Sequence, residues 1–192
     1  MRVERELVKF EVYENLENQS THFKAYVNGF KNNVKNRFKV YITQNLMKRM
    51  LHEEIREKQN LVYSISVQDY GITKIPDEKY TLVINFDCDP KNKNKIFTEI
   101  DKVLEKLKKG DFPQHYLDDA IKAQVTSYLI NRESNRWLVG AISGYYEDNE
   151  PLQMINAIDV IVKSIHKNDI KRFANETFKD KFIQASLMPK PK

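Results

Sequence analysis

From Asn33 to about Lys58 the apolar residues Val34, Phe38, Ile42, Leu46, Met50, Leu51 and Ile55 recur every three or four positions, which predicts one long amphipathic helix. A different period follows. Leu61, Tyr63, Ile65 and Val67 alternate with Val62, Ser64, Ser66 and Gln68, and Tyr80, Leu82, Ile84, Phe86 and Cys88 alternate with Thr81, Val83, Asn85, Asp87 and Asp89. Both runs read as half-buried strands, joined as a hairpin by a long loop that carries Gly71 and Pro76. Two earlier strands are expected in ELVKFEVYEN and STHFKAYVNGF, connected through Glu14 to Gln19.

Asp89 followed by Pro90 is an N-cap with proline in the first turn, so a helix starts there. Ile96, Ile100, Val103, Leu104 and Leu107 give it a buried stripe, and Lys108, Lys109 and Gly110 end it. After Pro113 the stripe Leu117, Ile121, Val125, Leu129 predicts a helix to about Arg132. Trp137 to Tyr146, Pro151 to Ile165 and Asn168 to Phe178 read as further helices, and FIQASLM as a last strand. The fold class is therefore α+β: a single, mostly antiparallel sheet with helices packed on one face. Leu82, Ile84, Phe86, Ile100 and Leu104 are expected in the core, with Ser64, Ser66, Gln68, Asn85 and Asp87 on the open face.

The 192 residues suit one domain, 1–192, in which residues 1–18 serve as a linker or the first strand. The 32 basic and 27 acidic residues are spread along the chain and leave a net charge of +5, a mixed solvated surface rather than a nucleic-acid footprint. No apolar run reaches the roughly 20 residues that span a bilayer, and the start is too charged for a secretory signal. The single Cys88 excludes an internal disulfide and reads as a buried filler.

With 4 His, no zinc-ligand spacing occurs. His52-Glu53-Glu54-Ile55-Arg56 begins like His-Glu-x-x-His, but a cation stands at the second ligand position, and His52 reads as a helix-surface residue. His22 lies in a strand, His115 opens a helix and His166 ends one, none beside a nucleophile. The pairs Asp118–Asp119 and Asp87–Asp89 fit helix surfaces and strand ends better than acid/base catalysis. With 5 Gly there is no phosphate loop.

MLHEEIREKQNLVYSISVQ, residues 50–68, resembles the C-terminal half of insulinase (pitrilysin-like) zinc metallopeptidases, where a long helix ends in Leu-x-x-x-x-Arg-Glu before a Gly-Leu-x-Tyr-Ser strand. YTLVINFDCDPKN, the Gly110 to Pro113 linker, Ala123-Gln124 and SNRWLVGAISGYY extend the similarity, nearest in shape to the last domain of the bacterial zinc-protease branch. The resemblance implies a clamshell-type domain that closes a peptide chamber. Zinc would be bound by another domain or a separate partner subunit, and none by this chain, from which the family's inverted His-x-x-Glu-His is absent. The chain would then be a fragment of a four-domain enzyme or a non-catalytic subunit, inactive alone; the alternative is a scaffold or peptide-binding subunit.

The resemblance also implies a catalytic pair, Arg56 and Tyr63, seven residues apart, that reach towards the zinc site and hold the scissile region of a peptide substrate. A guanidinium and a phenol are strong donors to a developing oxyanion. Asn60 stands where the family has Gly, and asparagine is the residue that best replaces it in a left-handed turn. Simple alternation places Tyr63 with Ile65 and Val67 on the core side, so a chamber-facing role requires a twist or bulge at the start of the strand.

Overall fold

The computed structural model describes residues 8–15, 19–29, 31–73, 77–179 and 181–190. Five strands, β1 (Val8–Glu14), β2 (Ser20–Gly29), β3 (Ser64–Thr73), β4 (Lys79–Cys88) and β5 (Ile183–Pro189), form one sheet in the order β1-β5-β2-β4-β3. β1 and β5 are parallel and every other neighbouring pair is antiparallel. The helices are α1 (Val34–Leu51), α2 (Lys93–Lys109), α3 (Gln114–Asn131), α4 (Asn135–Glu147), α5 (Ile158–Lys163) and α6 (Lys167–Thr177). This is the α+β arrangement that the sequence pattern predicts.

The core forms where the two periods meet. Leu82, Ile84 and Phe86 of β4 are buried against Ile100 and Leu104 of α2 and Ile42, Leu46 and Leu51 of α1. Each such side chain contributes about 1.5–3 kcal/mol on full burial. Cys88 is buried at the end of the same row. Asn85 and Asp87 stay half-buried on the other face. α2 begins as read: Asp89 accepts from the Lys91 N–H at 3.1 Å, and a 3-10 turn at Pro90–Asn92 leads into the helix. It ends at Gly110, whose φ of 73° is costly for any residue with a Cβ.

In the sheet, β5 from the far end of the chain inserts between β1 and β2. Three expectations change. The long first helix is α-helical only to Leu51 and then widens into a π-helical turn, His52–Glu57. The segment after Pro151 is a 3-10 stretch, Leu152–Ala157, before the short α5. His166 does not end a helix but caps the next: its main-chain N–H donates to Asp169 Oδ2 at 3.1 Å in a reciprocal capping box that opens α6. Pro76 of the expected hairpin loop lies outside the described residues.

Candidate functional site

The corner where α1 hands the chain to β3 is irregular at three successive points. In the π-helical turn the Lys58 N–H reaches back five residues to Glu53 O at 3.0 Å. Asn60 then adopts the left-handed conformation at φ 49°, as its identity predicts. Its N–H donates to Arg56 O at 3.0 Å and the Leu61 N–H to Ile55 O at 3.1 Å, which satisfies the last carbonyls of the turn. Finally, the alternation of β3 breaks at its start. Val62 is buried, Tyr63 is 61 % exposed, and Ile65 is buried again.

Tyr63 is therefore not the core aromatic that simple alternation makes it. Ladder pairing begins only at Ser64, opposite Asp87, and Tyr63 is joined to the sheet by its N–H, which donates to Asp87 O at 2.8 Å. Freed from the pleat, the chain turns Val62 inward in its place. Arg56 is exposed on the turn while the adjacent Ile55 is fully buried and anchors it.

Two carboxylates fasten this turn to the helices behind it. Glu53 accepts from Arg49 Nε at 3.2 Å and from the Tyr116 hydroxyl of α3, and the Arg49 guanidinium lies 3.8 Å from the Tyr116 ring centre. Burial pushes the Glu53 pKa up, but the hydrogen bonds from Tyr116 and Arg49 outweigh it and leave the carboxyl below its ordinary value. Glu54 accepts from Lys58 at 3.0 Å and from Lys106 of α2 at 3.1 Å, and these bonds lower its pKa. Arg56 itself meets a different partner: its Nη1 is 3.0 Å from His52 Nε2, and His52 Nδ1 is 3.2 Å from Glu57 Oε1. His52 is a helix-surface residue, as expected, but its bond to Arg56 went unread, although a spacing of four residues on a helix signals it.

The other carboxylate pairs do not converge on a common point. Asp119 is paired with Arg49 at 2.8 Å and Asp118 accepts from Gln114 at 2.9 Å. Asp87 accepts from Thr21 and Ser64, each at 2.7 Å, and Asp89 pairs with Lys91 at 2.8 Å. The open sheet face is polar near Asp87 and Ser64 and turns apolar towards β1, where Phe10 packs edge-on to Phe23 with ring centres 6.4 Å apart.

On the helix-covered side, β2 carries a buried polar row that sequence reading missed. His22 is fully buried, its Nδ1 2.8 Å from Ser186 Oγ and its Nε2 2.7 Å from Ser20 Oγ, with its ring stacked on Phe86. Burial is the main cause that brings its pKa down to about 4. Lys24, 1 % exposed, pairs with Asp101 of α2 and lies 4.0 Å from the centre of the Phe182 ring.

Residues 3–124 match the family model described as the peptidase M16 inactive domain. The chain belongs to the peptidase M16 family. No curated protein sequence matches it. Among solved structures, the periplasmic protease PqqL from Escherichia coli superposes with a TM-score of 0.80 at 17% identity over 97% of this chain and 21% of its own. A peptidase M16 inactive domain from Pseudomonas fluorescens gives 0.77 at 19% identity, covering 97% of this chain and 44% of its own. The ferredoxin protease FusC, solved as a mutant in complex with Arabidopsis ferredoxin, gives 0.82 at 12% identity over 97% and 20%. The chain thus spans less than half the length of these structures, and at such identities they support the fold alone.

M16 proteases are zinc enzymes. Among the described residues of this M16 chain, no group of three or more His, Cys, Asp or Glu is placed to hold a metal ion, so these residues do not fit a zinc site. No described helix is long and apolar enough to cross a membrane.

Proposed function

We propose that residues 1–192 are the non-zinc domain of a zinc metalloendopeptidase, which closes over a peptide chamber and grips the substrate above a metal held by another domain or subunit. The observation that carries this reading is the delivery of Arg56 and Tyr63 to solvent from one braced corner, within a family of proteases. Arg56 supplies charged N–H donors and Tyr63 an O–H donor, both suited to the carbonyl oxygen of a scissile peptide as negative charge grows on it. The buried Ile55, the Glu53 and Glu54 bonds and the Tyr63 N–H bond to Asp87 hold their backbones still, so little reorganisation accompanies the reaction.

Donors aimed at a developing oxyanion are worth about 3–4 kcal/mol each, or roughly a hundredfold to a thousandfold in turnover. In the complete enzyme, Arg56→Ala and Tyr63→Phe are expected to lower kcat by that factor while zinc content and melting temperature stay at wild-type values. Unchanged kcat in both variants would sink the catalytic role and leave a peptide-binding or scaffolding domain.

A further inference from the structure

We infer that His52 is the positioning residue for Arg56, holding its guanidinium in place through a neutral imidazole; the inference rests on the reading of Arg56 as a substrate donor. A guanidinium carries N–H groups and no lone pair, so in the 3.0 Å contact Arg56 Nη1 donates and His52 Nε2 accepts. Nε2 is then the unprotonated nitrogen and the ring proton sits on Nδ1. That nitrogen faces Glu57 Oε1 at 3.2 Å, which accepts from it. The three side chains form a directed chain, Arg56 to His52 to Glu57, and the carboxylate at its end fixes the tautomer.

The backbone explains why one ring reaches both partners. At 3.6 residues per turn, residue i+5 lies about 140° around a helix from residue i, off its face. The π-helical turn at His52–Glu57 is wider and closes i onto i+5, so Arg56 at i+4 and Glu57 at i+5 both come within reach of His52.

The choice of partner also matters. Two turns earlier, Arg49 is paired with the carboxylates of Glu53 and Asp119, which offset its charge. Among the described residues Arg56 has no carboxylate partner; it is held by an uncharged acceptor that takes one N–H and leaves the other donors and the full positive charge directed outward. A carboxylate would restrain the side chain as well but would cancel the field that an oxyanion needs.

The test measures kcat and KM of the complete enzyme on a peptide substrate. His52→Phe keeps an aromatic ring without the acceptor, and is expected to lower kcat about tenfold, with KM within a factor of about two and melting temperature unchanged. His52→Gln offers a carbonyl to Arg56 and an amide N–H to Glu57, and is expected to recover most of the rate. In an Arg56→Ala background, His52→Phe is expected to cost nothing more. A silent His52→Phe beside a costly Arg56→Ala overturns this inference and leaves the proposed function standing, whereas a silent Arg56→Ala removes both. A loss in His52→Phe that persists undiminished without Arg56, or that tracks a lowered melting temperature, makes His52 a structural residue and also overturns the inference.

Discussion

The inward row of β2 and the corner between α1 and β3 carry the same kinds of side chain, histidine, a basic residue and hydroxyl groups, in opposite circumstances. In the row, His22 and Lys24 sit on a regular strand, fully enclosed, with partners supplied by the sheet, by α2 and by Phe182 just before β5. At the corner, His52 and Arg56 sit on a π turn and Tyr63 on an out-of-phase strand start, joined through the left-handed Asn60, with donors left to solvent. A buried polar group must find its partners within the fold, so regular pairing serves it. A group that acts on a ligand must keep part of its capacity unspent, and the irregular backbone delivers it there. The row should therefore answer to stability measurements and the corner to kinetic ones.

The largest stability effect expected from the row is a pH dependence. The ordinary histidine pKa is 6.5 and that of His22 in the fold is about 4. As pH falls through 6.5 the unfolded chain takes up a proton that the folded chain refuses until about pH 4. The contribution is present in full above pH 6.5 and is lost progressively between 6.5 and 4, on the order of 3 kcal/mol in all. Urea unfolding of the wild type and of His22→Gln at closely spaced pH values should differ in slope across that window. Equal slopes would show that His22 is solvated in the fold. Glu53 and Glu54 have lowered pKa values, so their contribution is present above the ordinary 4.5 and is lost as pH falls below it, a separate and more acid limb.

A smaller effect separates the partners of Lys24. Asp101→Ala leaves a buried ammonium without its carboxylate and is expected to cost about 2 kcal/mol, since Asp101 is itself largely exposed and water partly replaces it. Lys24→Met removes the charge together with its need for a partner, fills similar space beside Phe182, and is expected to cost less than about 1 kcal/mol. Denaturation midpoints for the two variants check the order. The reverse order would mean that the ion pair stabilises the fold beyond satisfying a charge that happens to be buried.

How far the sequence discloses these two regions follows from what each does to the hydrophobic period. The helices and β4 obey it, so Ile100, Leu104, Leu82, Ile84 and Phe86 are legible as core from spacing alone. In β2 the inward positions are Ser20, His22, Lys24 and Tyr26, while Phe23 and Ala25 face the other way, so polarity gives no reliable sign of direction. The π turn is silent for another reason: Leu51 and Ile55 keep the helical spacing of four across its start. Tyr63 is misread because alternation assumes ladder pairing that begins only one residue later. The place of β5 between β1 and β2 depends on pairing across the whole chain, which no local pattern records. Arg56 and Tyr63 themselves stand out through family resemblance; as isolated residues, a helix-end cation and a strand aromatic are unremarkable.

The smallest effect belongs to the backbone that joins the pair, where Asn60 holds φ at 49°. Left-handed backbone costs an ordinary L-residue about 1–2 kcal/mol, asparagine less, and glycine almost nothing. Asn60→Gly is therefore expected to be neutral or to stabilise by a few tenths of a kcal/mol, because its easier φ is offset by the greater freedom of the unfolded chain. Asn60→Ala is expected to lose about 1 kcal/mol. The kinetic consequence sharpens the contrast between row and corner. Glycine preserves the turn that carries Arg56 on one side and Tyr63 on the other, so turnover of the complete enzyme should stay within a factor of about two, whereas alanine strains that turn and should lower kcat by more than its stability cost accounts for. Turnover that follows stability alone across Asn60→Gly and Asn60→Ala would mean that the corner is braced by its side-chain bonds, and that the left-handed residue serves the fold without setting the reach of the pair.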